Sequence, residues 1–95
     1  MSIWNVYIIT NKPNGVLYIG KTKHLKRRIY QHKNKVHPST FSARYNLDKL
    51  VYYESFEIEN DAKLKERRMK KWNRDWKIEL IEKTNPQWID LYNDL

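Results

Sequence analysis

The sequence predicts a small α/β domain of three short strands with helices packed against them, in the order β-β-α-β-α-α-α. Three observations lead there. Residues 3–10 and 50–56 are dominated by β-branched and aromatic side chains, the composition of strands. A turn-rich segment joins the first of these to a second short apolar run at 16–19. The segments between and after the strands carry apolar residues at helical spacing.

Ile3-Trp4-Asn5-Val6-Tyr7-Ile8-Ile9-Thr10 reads as the first strand, and Asn11-Lys12-Pro13-Asn14-Gly15 as its turn. Pro fixes φ there, and Asn-Gly tolerates the positive φ of a tight reversal. Val16-Leu17-Tyr18-Ile19, closed by Gly20, completes an antiparallel hairpin whose register the sequence leaves open. Thr22 can cap a helix over about 23–35, where Leu25, Ile29, His32 and Val36 share one face at spacings of 4, 3 and 4. Arg28 lies about 60° from Leu25 on that wheel, at the edge of the face. Pro38 ends the helix, because it disfavours helix in the residue before it. Residues 41–47 remain ambiguous, and 50–56 form the third strand. Asn60 or Asp61 can cap a helix over 61–73 with Ala62, Met69 and Trp72 buried. A break at Asn73-Arg74 precedes a further helix through Ile81. Asn85-Pro86 reads as a cap with Pro in the first helical position, opening a short last helix with Trp88, Leu91 and Tyr92.

Ninety-five residues make a single domain, 1–95, with one core and no second module. Against 19 Lys and Arg stand 11 Asp and Glu, a formal charge of +8 that attracts polyanions. The 40% hydrophobic content argues against disorder, and the lack of cysteine excludes disulfides and thiolate metal sites. No apolar run approaches the ~20 residues that cross a bilayer, and Met1-Ser2-Ile3-Trp4 lacks the regions of a signal peptide. The expectation is a soluble cytoplasmic protein with an anionic partner and no membrane. The distribution of charge sharpens it. Lys21 to Arg44 holds eight cations and no acid, and Asp61 to Lys77 holds eight more against three acids. One such run is ordinarily a solvated helix face; two in a chain of this charge point to nucleic acid.

Two polar residues stand where the helical pattern wants apolar ones. His32 lies on the Leu25/Ile29/Val36 face, where a structural histidine is the usual explanation. Glu66 lies between Ala62 and Met69, where a carboxylate facing inward needs cations or a metal. Its plainer alternative is a pair with Arg67, or with Lys70 at i+4. Lys21, Arg28, His32, Glu66 and two tyrosines could together form a phosphate-and-metal site, since one carboxylate with several waters is a normal way to hold Mg²⁺.

Val6-Tyr7-Ile8, followed by Leu17-Tyr18-Ile19-Gly20, resembles the two-tyrosine motif of GIY-YIG nucleases. Gly20-Lys21-Thr22, Leu25-Lys26-Arg27-Arg28, His32 and the later Lys65-Glu66-Arg67 follow in the family's order. Asn85-Pro86-Gln87-Trp88-Ile89-Asp90-Leu91 is similar to the ending of small stand-alone bacterial members, so the resemblance spans essentially the whole chain. One departure is Asn5-Val6, where the name-giving Gly-Ile would stand. The resemblance implies a three-stranded antiparallel sheet flanked by helices. It also implies cleavage of phosphodiester bonds with one divalent ion, Mg²⁺ or Mn²⁺, held by Glu66. Tyr7 and Tyr18 match the paired tyrosines, with Tyr18 the better match for activating or positioning the attacking water. Arg28 matches the family arginine, and His32 a histidine that supports proton transfer. Lys21 corresponds to a lysine of the repair-nuclease branch, similar to the UvrC N-terminal nuclease domain, and Asn85 to a late asparagine. Lys23, Arg27, Arg44 and Lys70 are expected as further nucleic-acid contacts.

The chemistry asks for such groups. In-line hydrolysis needs a deprotonated water, charge compensation on the non-bridging oxygens and help for the leaving oxygen. Arginine grips phosphate bidentately, a metal polarises it, and a histidine relays protons. A tyrosine with an ordinary pKa near 10 is a poor base at neutral pH unless a cation or metal assists it. The expected function is therefore a metal-dependent DNA endonuclease. It would be directed by structure or backbone, because so small a domain leaves little surface for reading sequence, and would serve DNA repair or processing. The alternatives are a nucleic-acid-binding module with weak or lost cleavage, and a protein-interaction adaptor. A protein partner or a homodimer is compatible with the sequence.

Overall fold

The computed structural model describes residues 3–95; Met1 and Ser2, and the N-terminal signal reading that includes them, lie outside the described residues. Strand β1 (Trp4–Thr10) is the middle of a three-stranded antiparallel sheet in the order β2-β1-β3, with β2 at Leu17–Thr22 and β3 at Lys49–Phe56. The helices are α1 (Leu25–Lys33), α2 (Phe41–Arg44), α3 (Glu59–Lys71) and α4 (Arg74–Thr84), and a 3-10 turn covers Leu91–Asp94. The α/β architecture with a three-stranded antiparallel sheet is the one expected.

Alternation along the strands sorts the side chains into two cores. Val6, Ile8, Ile19, Val51 and Tyr52 face α3 and α4, where Ala62, Met69 and Ile81 cover them. Tyr7, Ile9 and Leu50 face the other way, under Leu25 and Ile29 of α1 and under Leu47. A bulge between Ile8 and Ile9 shifts the β1–β3 register and puts the consecutive Val51 and Tyr52 into one core. Each fully buried Ile or Leu contributes about 1.5–3 kcal/mol relative to exposure, so packing on both faces specifies the layers.

The hairpin turn follows its chemistry. Asn14 takes φ 58°, the Asn11 side chain accepts from the Val16 N–H, and the Arg74 guanidinium clasps the turn through the carbonyls of Asn14 and Gly15. Helix boundaries differ from expectation where the caps differ. Thr22 ends β2, and its hydroxyl accepts from the His24 N–H at 3.0 Å, so α1 begins only at Leu25. Neither Asn60 nor Asp61 caps α3; Ile58 precedes it, and Glu59 and Asp61 sit in the first turn, where acids favour the helix dipole. Asn73 does cap α4, accepting from the Trp76 N–H at 2.9 Å.

The expected helix opening at Asn85-Pro86 is not formed. Asn85 closes α4 instead, and its buried amide donates to the carbonyls of Val51 and Ile89 and accepts from the Ile89 N–H. The bond to Val51 ties the loop to β3, and the two to Ile89 close the loop on Asn85. Trp88 then takes φ 55°, a strain of about 1–2 kcal/mol offset by burying its indole and donating to Glu82 at 2.8 Å.

The chain end is held by Asp90, whose carboxylate accepts from Lys33, from the Leu50 N–H and from the Tyr92 N–H. Burial alone would raise the Asp90 carboxyl; the Lys33 ammonium and the two N–H groups outweigh it and hold the carboxyl below its usual range. A depressed acid stabilises the fold fully above its unfolded value, near 4, and loses that contribution as pH falls through the folded value. Asp90→Asn should therefore cost about 1–2 kcal/mol at neutral pH and show a smaller drop in melting temperature between pH 7 and pH 3 than the parent. Equal acid sensitivity in the two proteins would remove Asp90 from this role.

Candidate active site

The site is assembled where β1, β2 and α1 meet. Tyr7 pairs directly across the hairpin with Gly20, and Tyr18 pairs with Ile9, so the two tyrosines are diagonal neighbours on the face toward α1. Gly20 is required by this pairing. A Cβ built on it would lie 2.4 Å from the Tyr7 hydroxyl and 2.5 Å from its Cζ, because the ring lies across the glycine. The Tyr7 ring is 1% exposed, and its hydroxyl is joined to Nε2 of His32 by a 3.0 Å hydrogen bond. His32 stands one turn after Arg28 on α1, so both point to the same cleft.

The electrostatics follow from burial and charge. Burial holds the Tyr7 phenol well above its ordinary value; Tyr18 and the Glu66 carboxylate push the same way, while the charge and hydrogen bond of Arg28 pull it down. Burial, then the electrostatic influence of Arg28 and His37, pushes His32 down to about 4. At neutral pH the pair is thus a neutral phenol and a neutral imidazole. Beside them opens a cavity of about 190 Å³ lined by Tyr18, Arg28, Gln31, His32, Phe41 and Ser42 among others, with no carboxylate in its wall. A second recess of about 50 Å³ is shared by Arg27, Arg28 and Gln31 with Thr22 and His24, so Arg28 stands between the two.

Glu66 arrives from the opposite layer, on α3. Its side chain is 19% exposed and lies 3.4 Å from Lys70, so the plain i, i+4 pair is formed. Such a pair is worth only about 0.2–0.5 kcal/mol. The same carboxylate raises the Tyr7 phenol. The structure therefore brings Tyr18, Arg28 and His32 together at one cleft, with Tyr7 joined to it through His32, and the Glu66 charge acts on Tyr7.

The chain matches the family model of the GIY-YIG catalytic domain over residues 3–79. It belongs to the GIY-YIG family. Among its relatives is a UPF0213 protein in the VLF1-GP41 intergenic region of Autographa californica nuclear polyhedrosis virus, 34% identical over 82 residues, which are 84% of this chain and 77% of that protein. A UPF0213 protein of Clostridium perfringens (strain 13 / Type A) is 38% identical over 76 residues, 80% of each. No solved structure matches the chain significantly. GIY-YIG membership implies a nuclease with nucleic acid as its substrate. The departure at the family's first motif is accommodated: Asn5 accepts from Ser55 across β1–β3, and Val6 is fully buried.

The expected nucleic-acid contacts are dispersed. Lys21 follows Ile19 by two residues and so shares its face, away from Tyr18. There its ammonium stacks 4.6 Å above the Trp4 ring and pairs with Glu59 at 3.3 Å. Lys23 covers the same indole at 5.1 Å, Arg44 is exposed at the end of α2, and Lys70 is exposed beside Glu66. Asn85, the expected counterpart of a late family asparagine, is a buried tie between β3 and the loop. Sequence reasoning missed Gln31, which lines both recesses, and the Thr40–Ala43 segment that walls the larger one. The signal available for the latter was Thr40, an N-cap residue type whose hydroxyl accepts from the Ala43 N–H.

The donors present fit a largely hydrated ion better than a caged one. Among the described residues, no group of three or more His, Cys, Asp or Glu side chains could hold a metal. A tetrahedral zinc cage would need such a group. A hydrated Mg²⁺ needs only one or two carboxylates and keeps its waters, which fits Glu66. No helix of the described residues is long and apolar enough to cross a membrane.

Proposed function

We propose that this protein is a divalent-metal-dependent DNA endonuclease, acting in the cytoplasm on DNA structure or backbone in repair or processing. The observation that carries the proposal is the Tyr7–His32 bond beside a cleft lined by Arg28 and His32, with the charges of Arg28 and Glu66 both acting on Tyr7. Arg28 would grip the scissile phosphate between the two recesses and strengthen its hold as charge develops on the non-bridging oxygens. Tyr18, which lines the larger recess, would position the attacking water. As that water bonds to phosphorus, its proton passes to the Tyr7 oxygen while the Tyr7 proton moves to Nε2 of His32. The P–O bond to the leaving group breaks, and the departing oxygen takes a proton from solvent. A Mg²⁺ or Mn²⁺ ion on Glu66 would supply Lewis-acid polarisation of the phosphate. Lys21, Lys23, Arg27, Arg44 and Lys70 would add sequence-independent attraction.

The test is strand cleavage of plasmid, branched and single-stranded DNA by the purified protein with Mg²⁺ or Mn²⁺, against a chelator control, while binding is followed as salt is raised. Metal-dependent cleavage on at least one substrate is expected, with binding weakened steeply by salt. Salt-sensitive binding without cleavage would favour the alternative, a nucleic-acid-binding module on the same scaffold.

A further inference from the structure

His32 is joined at both ring nitrogens, and the bond at Nδ1 leads away from the cleft along a line of hydroxyls. Nδ1 lies 2.9 Å from Oγ of Ser42, that oxygen lies 3.3 Å from Oγ1 of Thr40, and Oγ1 lies 2.8 Å from the His37 carbonyl. A carbonyl oxygen only accepts, and a hydroxyl has one hydrogen to give. The Thr40 hydrogen is therefore committed to His37, leaving Oγ1 to accept, as it does from the Ala43 N–H at 3.4 Å. A Ser42 hydrogen pointing to Thr40 completes this line of bonds, and Ser42 then accepts from His32. In a neutral imidazole one nitrogen carries the hydrogen and the other does not. Fixing it on Nδ1 leaves Nε2 bare, and the Tyr7 hydroxyl must be the donor in the 3.0 Å bond.

We propose that Ser42 and Thr40 are positioning residues that hold His32 as its Nδ1–H tautomer, with the bare Nε2 accepting the Tyr7 proton. Neither touches the reacting atoms; both act through His32. The direction of the chain decides what Tyr7 can do. With its hydrogen given to His32, the Tyr7 oxygen keeps its lone pairs for Arg28 and for the water. In the opposite tautomer, Nε2–H would occupy one of those lone pairs and no acceptor would remain for the Tyr7 proton. The segment that carries the hydroxyls is anchored: Ser42 and Ala43 are buried, and the fully buried Leu47 donates its N–H to the Ser42 carbonyl at 2.8 Å. Burial also keeps the imidazole neutral, so that it has a tautomer to fix.

The role in catalysis rests on the nuclease reading, but the tautomer can be read without DNA or metal. Long-range ¹⁵N–¹H spectra at neutral pH, with His32 assigned by loss of its signals in His32→Gln, should show hydrogen on Nδ1. Thr40→Val should free the Ser42 hydrogen to turn toward Nδ1 and shift the ring toward Nε2–H, whereas Thr40→Ser should keep the parent spectrum. Ser42→Ala, which leaves the Thr40 cap in place, should weaken the Nδ1–H preference. Cleavage should fall about 10–100-fold in kcat in Thr40→Val, the range for removing an outer partner that orients a metal-bound histidine. KM should change little and Thr40→Ser should recover the rate. An Nε2–H ring in the parent, or a tautomer unmoved by Thr40→Val and Ser42→Ala, would overturn the proposal. A parent that holds Nδ1–H but cuts no DNA would instead contradict the nuclease reading and leave the relay standing.

Discussion

Replacing Arg28 with alanine should slow DNA cleavage about 10²–10³-fold, the usual loss when one donor to a developing oxyanion is removed. Binding should weaken only a few-fold, because the other cations supply most of the attraction. Arg28 borders both recesses, and its charge lowers the Tyr7 phenol. Its removal would also let the Tyr7 phenol rise further and relieve the charge that lowers His32. Arg28→Lys should recover little of the loss, since a point charge cannot reproduce the bidentate fork. Single-turnover rates alongside binding isotherms check this; a rate within threefold of the parent would take Arg28 out of the reaction.

The second large effect is expected at Gly20, where no catalytic group is lost. Gly20→Ala places a methyl 2.4 Å from the Tyr7 hydroxyl and 2.9 Å from Cε1 of a ring that has nowhere to move. Overpacking of this kind costs about 1–3 kcal/mol, or roughly 4–8 °C of melting temperature per kcal/mol in a domain of this size. It should also displace the hydroxyl from His32 and suppress cleavage. A double-mutant cycle separates ring from hydroxyl: Tyr7→Phe should leave the Gly20→Ala penalty in place, while Tyr7→Ala should relieve most of it. Thermal melts of the parent, the three single variants and the two double variants suffice. A penalty abolished by Tyr7→Phe would mean that the hydroxyl, not the ring, sets the clash.

What the sequence made legible was local. Asn14-Gly15 and the β-branched runs specify the hairpin with little help from the rest of the chain, and Asn73 breaks and caps the helices where expected. The two tyrosines, Arg28 and His32 could be placed on their elements for the same reason. Tyr7 opposite Gly20 could not, because that register depends on how the turn closes. The α2 segment was illegible because a four-residue helix has no period to read; burial of Ala43 and Leu47 fixes it. Asn85-Pro86 was misread because the same pair suits a helix start and a helix end, and the choice was made by the distant Val51 carbonyl. Lys21 was readable but overlooked: strand alternation already puts it on the Ile19 face, away from Tyr18.

Glu66 was visible as a polar residue on an apolar stripe, but its action on Tyr7 from the opposite layer was not. It also bears the most weight in the proposed chemistry. The most direct measurement is therefore the nicking rate of Glu66→Gln and of the parent across a Mg²⁺ titration, with folding and DNA binding checked in parallel. Glutamine keeps the shape and removes the charge. The prediction is a folded protein that binds DNA as the parent does, with metal-dependent cleavage reduced at least about 10²-fold at every Mg²⁺ concentration. Cleavage at the parental rate, with the same dependence on Mg²⁺, would contradict the assignment of Glu66 as the metal-holding group.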